Sequence, residues 1–257
     1  MPNTFCHPAG VLVCGRWRPA WLGLAGLVAG SVAPDAGYYV RQFDLARAAH
    51  GLVGSVTLSL PAGLLLLAVF YLIREPLCAL LPQPHRGALL PRARSRVVWT
   101  PRTLASAVAS VYIGIWTHII WDAFTHAGTP VVERLAILRQ PVLQVAGGTI
   151  PVYNVLQHLS SLAGLVLMVV VYLRWLRAHR AAAPASRLTD RQRYGILAAL
   201  ALVALAVGVP AAARTAADYE GYLAFRVLLV RSGIYAAAVY LPALALTAVA
   251  LHRARVS

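Results

Sequence analysis

Six stretches of this chain are apolar for about 20 residues each, and most polar residues fall between them. A helix that crosses a bilayer needs about 20 mostly apolar residues, so the pattern predicts an all-α, polytopic bundle of about six transmembrane helices. The first stretch is interrupted by Arg16, Arg18 and Pro19, and a cleaved signal peptide is the alternative interpretation there. The predicted spans cover residues 11–33, 51–73, 103–123, 153–173, 195–213 and 227–251.

The composition also indicates a membrane protein. Of the 257 residues, 60% are hydrophobic and 12% are charged, and the mean hydropathy is +0.68. The net charge is +15, but every basic residue among Lys and Arg is an arginine, and most of them lie in the gaps between apolar stretches, which favours membrane topology over nucleic-acid binding. The three cysteines form no CxxC pair and are interpreted as small buried hydrophobic residues.

The arginines predict which ends of the helices face the cytoplasm. Two gaps, 74–102 and 174–193, hold six arginines each and are interpreted as loops. The positive-inside rule places both gaps and both termini in the cytoplasm, which accounts for 16 of the 23 arginines. The outer side then holds six of the eight acidic residues, and its largest loop, about 124–152, is long enough to fold over a site as a lid.

Three ionisable residues recur at every fourth position near the end of the third span. They are His118, Asp122 and His126, and each step of four residues turns only ~40° around a helix, so all three share one face. Ionisable groups are costly inside a membrane, so a metal ion or an internal polar network must stabilise them. His118 and His126 are ~12 Å apart along the axis, so one ion cannot bind both on an unbroken helix. Three interpretations of His126 follow: it is a ligand of a second ion, an outer-shell residue, or part of an unwound turn.

Other polar residues fall at the same, outer ends of the predicted spans. Alone, Asp35 fits a turn, His50 an interfacial histidine, and His158 a hydrogen bond to a neighbouring helix. Together with the third span they predict a site for a divalent metal ion, most simply zinc, which binds three or four nitrogen or oxygen ligands. The predicted ligands are Asp35, His50, His118 and Asp122, with His126 or His158 as acid/base or outer-shell partner.

His7 does not fit the simple topology, in which it lies on the cytoplasmic side. An alternative fold replaces the first span by a short hairpin. Residues 8–15 then descend from the outer site, Arg16–Pro19 form the turn, and residues 20–33 climb back. This arrangement moves the N-terminus to the outside and lets His7 reach a second ion or the same site.

Five motifs resemble a known bacterial membrane family, domain of unknown function 4184. The opening MPNTFCHPA resembles the family's MPFTxSHPA, with Cys6 where serine is usual. The other matching segments are Gly30–Asp35, His50–Ser55, His118–His126 and Tyr153–Ser161, so the resemblance covers roughly residues 1–180. The order of these residues is also similar to that of the YdjM-like membrane-bound metal-dependent hydrolases and, more distantly, to zinc-dependent phospholipase C.

The resemblance implies a location and a ligand set. It implies a multi-pass protein of the bacterial cytoplasmic (inner) membrane and adds His7 to Asp35, His50, His118 and Asp122 as metal ligands. Residues 1–180 then form the family-like membrane domain, and residues 181–257 add two C-terminal helices.

Three functions remain open from the sequence. The first is a metal-dependent hydrolase acting on a lipid or envelope substrate. The second is a non-catalytic membrane scaffold, in which the polar cluster locks the helices together. The third, a metal or proton transporter, is less favoured because spans two, five and six are nearly free of polar residues except Arg226 and Arg231.

Overall fold

Five long helices dominate the structure, a computed structural model that describes residues 4–14, 19–145, 148–182 and 184–254. Within these residues, five helices are long and apolar enough to cross a membrane, and the second of them breaks after Thr125. The predicted polytopic, all-α bundle is confirmed. The five helices are Leu52–Leu80, Pro101–Arg134, Val152–Ala178, Asp190–Ala216 and Gly221–Arg253.

The first predicted span is not one helix, so the prediction of a single span over 11–33 is wrong. Two short helices replace it, α1 (Pro8–Cys14) and α2 (Leu24–Val32), and they contact each other. They match the arms of the hairpin alternative, and neither is long enough to cross a bilayer alone. Arg16 and Arg18, which were expected in the turn, lie outside the described residues.

Shorter elements connect the long helices. Two of the long helices begin with capping boxes, formed by Thr100 with Thr103 and by Thr189 with Gln192. The remaining elements, in chain order, are α3 (Ala36–Tyr39), α4 (Phe43–Ala49), α5 (Leu52–Leu80, with a π-helical turn at Ser55–Ser59), α6 (His85–Arg94), α7 (Pro101–Thr125), α8 (Pro130–Arg134), α9 (Ala136–Arg139), β1 (Pro141–Val145), β2 (Gly148–Pro151), α10 (Val152–Ala178), α11 (Asp190–Ala216) and α12 (Gly221–Arg253).

The segment between α7 and α10, which was predicted as a loop, contains short regular elements. After α8 and α9, strands β1 and β2 pair as an antiparallel hairpin with Leu143 opposite Ile150. The pairing is irregular between Pro141 and Leu143. Thr129 and Pro130, at the start of this segment, line a cavity that is described below.

The chain forms two compact units. The first comprises Met1–Leu67, Trp99–Val170 and Tyr219–Arg226, and its centre is the contact between α2 and α7. A Cβ atom on Gly30 would lie 2.0 Å from the Val111 carbonyl oxygen, and one on Gly114 would lie 2.2 Å from the Leu27 oxygen. Only glycine permits this approach of the two backbones, as in membrane helices that pack through small residues.

The second unit comprises Ala68–Val98, Val171–Asp218 and Val227–Ser257. It contains residues 74–98 of the segment 74–102, whose interpretation as a loop is wrong, because α5 continues to Leu80 and α6 follows. Tertiary contacts hold α6: the His85 ring pairs with the Tyr172 hydroxyl at 2.6 Å, and Arg92 lies over the Trp175 ring at 4.8 Å. These contacts outweigh the poor helix propensity of Pro91, which lies inside α6.

Candidate metal centre

Helix α7 carries the two residues at the centre of the site. His118 is fully buried, and Asp122, one turn later, is 7% exposed. The close contact between α2 and α7 brings the end of α2 alongside, so Asp35, in the 3-10 turn Ala33–Asp35, faces them. His50 ends α4 and enters from the other side. Sequence positions separated by up to 87 residues therefore meet at one point.

Four of these side chains present one ligand atom each at the spacing of a metal site. The His50 Nε2 atom lies 3.1 Å from His118 Nε2, 3.4 Å from Asp35 Oδ1 and 3.4 Å from Asp122 Oδ2. His118 Nε2 lies 3.3 Å from Asp122 Oδ2 and 3.7 Å from Asp35 Oδ1. Ligands about 2.0–2.1 Å from a tetrahedral zinc ion lie about 3.3–3.4 Å from each other. These five distances are close to those within the ligand shell of one ion, and His50, His118 and Asp122 form a group of three that could hold it.

Backbone carbonyls orient both imidazole rings. His118 Nδ1 donates to the Ser31 oxygen at 2.7 Å, and His50 Nδ1 donates to the Ala46 oxygen, also at 2.7 Å. A proton held on Nδ1 leaves the Nε2 lone pair directed into the cluster. Metal-binding histidines are generally oriented by such a bond from the nitrogen that does not bind the ion.

His7 adds a fifth side chain to the cluster. Its ring is 1% exposed and stacks on His118, with centroids 3.6 Å apart, while the edge of Trp121 packs against it. His7 Nε2 lies 3.5 Å from Asp122 Oδ1. Ligand atoms of His7, Asp35 and His118 fall within 4.8 Å of one another, as do those of His50, His118 and Asp122.

Several buried polar atoms of the cluster lack a hydrogen-bond partner among the residues that the structure describes. They are both ring nitrogens of His7, Asp35 Oδ1 and Asp122 Oδ1. The other oxygen of Asp35 accepts a bond from the Thr4 hydroxyl at 2.6 Å. Buried polar atoms are rarely left without partners, and a bound cation would satisfy these.

The charges of the cluster favour a cation at the same point. Burial lowers the pKa of His50, but the nearby carboxylates of Asp122 and Asp35 outweigh it and raise this pKa to about 10. The two carboxylates thus stabilise positive charge at His50 Nε2. A proton and a metal ion compete for this lone pair.

His126 lies beside the cluster, as helical rise predicts. Its Nδ1 atom is 3.4 Å from Asp122 Oδ1, whereas His118 faces Oδ2, so the two histidines meet different oxygens of one carboxylate. The Gln157 side-chain amide pairs with His126 Nε2 at 3.0 Å. Gln157 and Thr4 were not among the predicted site residues, although each lies within three positions of a predicted one.

His158 does not join the cluster. The side chain is exposed on α10, while Gln157 is buried and points to His126. Successive residues of a helix are about 100° apart, so only one of the two neighbours can face the site. Ser161 of the same helix is buried and accepts a hydrogen bond from the Cys6 thiol at 3.5 Å, which connects α10 to the N-terminal segment.

The fold and the site define a multi-pass helical membrane protein with a buried His/Asp cluster that can hold a metal ion. The chain belongs to the family described as Domain of unknown function (DUF4184), whose family model matches residues 1–249. This match includes the last two long helices, while a division of the chain at residue 180 stays a prediction. No curated protein and no solved structure matched the chain.

Proposed function

We propose that this protein is a membrane-embedded, metal-dependent hydrolase with zinc as its ion. The observation that supports this most is the convergence of four ligand atoms, 3.1–3.7 Å apart over five measured pairs, in a site with unsatisfied buried atoms. Asp35, His50, His118 and Asp122 would hold the ion, and His7 would complete its surroundings. A divalent ion bound there would activate a water molecule and polarise the bond to be cleaved.

An adjacent cavity favours catalysis over a structural role. It has a volume of about 330 Å³, and His50, Asp122 and His126 form part of its lining. A catalytic zinc ion needs a position for water or substrate, and an ion held by these four side chains would offer one by expanding to five ligands on the side of the cavity. A cluster that borders a cavity of this size can admit a small substrate group.

His126 is the residue best placed to carry a proton. It lines the cavity, its Nδ1 atom faces Asp122, and Gln157 fixes the opposite ring nitrogen. An imidazole changes charge near neutral pH and is the commonest acid/base group in enzymes. We assign the role of acid/base to His126 alone, because His158 points away.

The surroundings indicate where the substrate comes from. The cluster lies at the ends of apolar helices, and the positive-inside rule assigns these ends to the extracytoplasmic side. A substrate that reaches a cavity between membrane-spanning segments from that side is a lipid or an envelope precursor.

The first experiment measures bound metal and stability together. The full chain is purified in detergent without chelators, and zinc is measured for the wild type, His118→Ala and His158→Ala. We expect about one ion per wild-type chain and below about a tenth of that for His118→Ala, because a central ligand is lost. His158→Ala is the matched control, since this histidine lies outside the cluster, and it should keep its zinc.

A chelator experiment tests whether the metal is needed for turnover. Removal of zinc should abolish hydrolysis of any substrate found, and added zinc should restore it. Wild-type protein that neither retains nor takes up a stoichiometric divalent ion would contradict the proposal. Loss of thermal stability in His118→Ala with unchanged metal content would instead support the scaffold.

A further inference from the structure

The lining of the cavity beside the cluster carries information about the substrate. The lining contains the cluster residues His50 and Asp122, the neighbouring His126, and several apolar side chains. Among the described residues that line the cavity, Arg47 is the one arginine, and it does not belong to the cluster. The lining residues are Tyr38, Arg47, His50, Ile119, Asp122, Ala123, His126, Ala127, Thr129 and Pro130.

Arg47 belongs to α4 and lines the cavity, but its side chain has no structural role there. It precedes His50 by three residues, so the two side chains lie on the same face of this helical turn. Its ion-pair partner is Asp44, at 3.6 Å, and the two side chains are 81% and 96% exposed. Exposed pairs of this kind contribute little, so Arg47 can turn to a bound anion at almost no cost.

With a divalent ion bound in the cluster, the charges around the cavity determine which substrate charge they can match. Two carboxylates, Asp35 and Asp122, balance one divalent ion, and the histidine ligands are neutral. Arg47 then leaves one net positive charge facing the cavity. A neutral ester would leave this charge unmatched, and a phosphomonoester would bring nearly two negative charges. A phosphodiester, with one negative charge, matches it.

We infer that the cavity binds a phosphodiester, with the Arg47 guanidinium donating to its non-bridging oxygens. This inference rests on the proposed hydrolase function and names its substrate class. The planar fork of arginine matches phosphate oxygens geometrically. The apolar side chains of Ile119, Ala123 and Ala127, which also line the cavity, accommodate a non-polar group of the substrate.

The reaction is a hydrolysis that needs only water as co-reactant. The water oxygen bonds to phosphorus, and the bond from phosphorus to the oxygen of the leaving alcohol breaks. One proton of the water passes, by way of His126, to the departing alkoxide. The products are an alcohol and a phosphomonoester, which takes the second proton or releases it to solvent.

The test compares substrates that differ in charge. Zinc-loaded full-length protein in detergent micelles is assayed with bis(p-nitrophenyl) phosphate, p-nitrophenyl phosphate and p-nitrophenyl butyrate. We expect the diester to have the highest kcat/KM. Arg47→Gln should raise KM for the diester about 10–100-fold, the value of a hydrogen bond to a charged group, with a smaller change in kcat. The zinc content should stay at the wild-type value.

A matched control separates a specific contact from a general charge effect. Arg139→Gln removes an arginine that pairs with Glu133 at 3.5 Å and does not line the cavity, so it should leave KM unchanged. Phosphatidylglycerol and glycerophosphoglycerol, which share one headgroup diester, then distinguish a lipid source from a soluble one. Faster cleavage of the lipid would identify the membrane as the source.

The outcomes separate this inference from the function on which it rests. Zinc-dependent hydrolysis of the butyrate ester without hydrolysis of any diester would overturn the substrate class and leave the hydrolase standing. An equal effect of Arg47→Gln and Arg139→Gln on the diester would also overturn it. A zinc-loaded protein that hydrolyses none of these compounds would overturn both.

Discussion

Two buried polar clusters in this chain differ in whether their polar atoms have partners. In the second unit, Arg193 is 1% exposed, and its guanidinium donates to the carbonyls of Ala79 and Leu188 and to the Ser186 hydroxyl. In the first unit, the His/Asp cluster leaves ring nitrogens and carboxylate oxygens without hydrogen bonds within the described chain. The arginine therefore has a structural role, whereas the His/Asp cluster could hold a metal ion.

The largest effect should come from separating the helices that build the His/Asp cluster. Gly30→Leu places a side chain where a Cβ atom would already lie 2.0 Å from the Val111 oxygen, so α2 and α7 must move apart. We expect a loss of at least about 3 kcal/mol of stability, together with the bound zinc. Thermal unfolding in detergent and metal analysis measure both. Gly233→Leu, at a glycine with open space around it, is the control and should change neither.

Replacing Arg193 tests the second of the two buried polar clusters. Arg193→Met should cost about 3–5 kcal/mol of stability, because it leaves buried acceptors without a donor. The zinc content of the folded fraction should be unchanged, since Arg193 donates to Ala79, Leu188 and Ser186, which lie outside the cluster. Arg191→Met, at an exposed neighbour in the same helical turn, should have little effect on unfolding. A loss of zinc from folded Arg193→Met would contradict the separation of roles.

The smallest of these effects should come from Thr4, which donates a hydrogen bond to Asp35 at the edge of the His/Asp cluster. Thr4→Val removes the hydroxyl that donates to Asp35 Oδ2 and keeps the shape of the side chain. Zinc affinity, measured by competition with a chromophoric chelator, should fall about 10-fold, as for other outer-shell partners of metal ligands. Thr57→Val, which removes an exposed hydroxyl bonded to the Val53 oxygen, is the control. Equal affinities of the two variants would show that Thr4 does not orient Asp35.

Local patterns were enough to predict the long helices and the pairing of His118 with Asp122, because both depend on the period of a helix. The helix over His85–Arg94 was missed, because contacts with residues about 80 positions later hold it despite Pro91. Gln157 rather than His158 faces the site because the rotation of α10 is set by packing, which a single sequence does not show. Arg47 went unnoticed for the same reason, although it lies three residues from His50.

The close contact of α2 with α7 has a consequence for biosynthesis. His50 leaves the ribosome 72 residues before Asp122, a delay on the order of 4–14 s at ordinary rates of translation, and Asp35 leaves it earlier still. During that time the N-terminal arms have no α7 to pack against, and Gly30 has no partner backbone. The N-terminal part of the chain thus carries only half of the site at first, and an ion could be bound by the complete cluster only after α7, part of the second long helix, has been inserted.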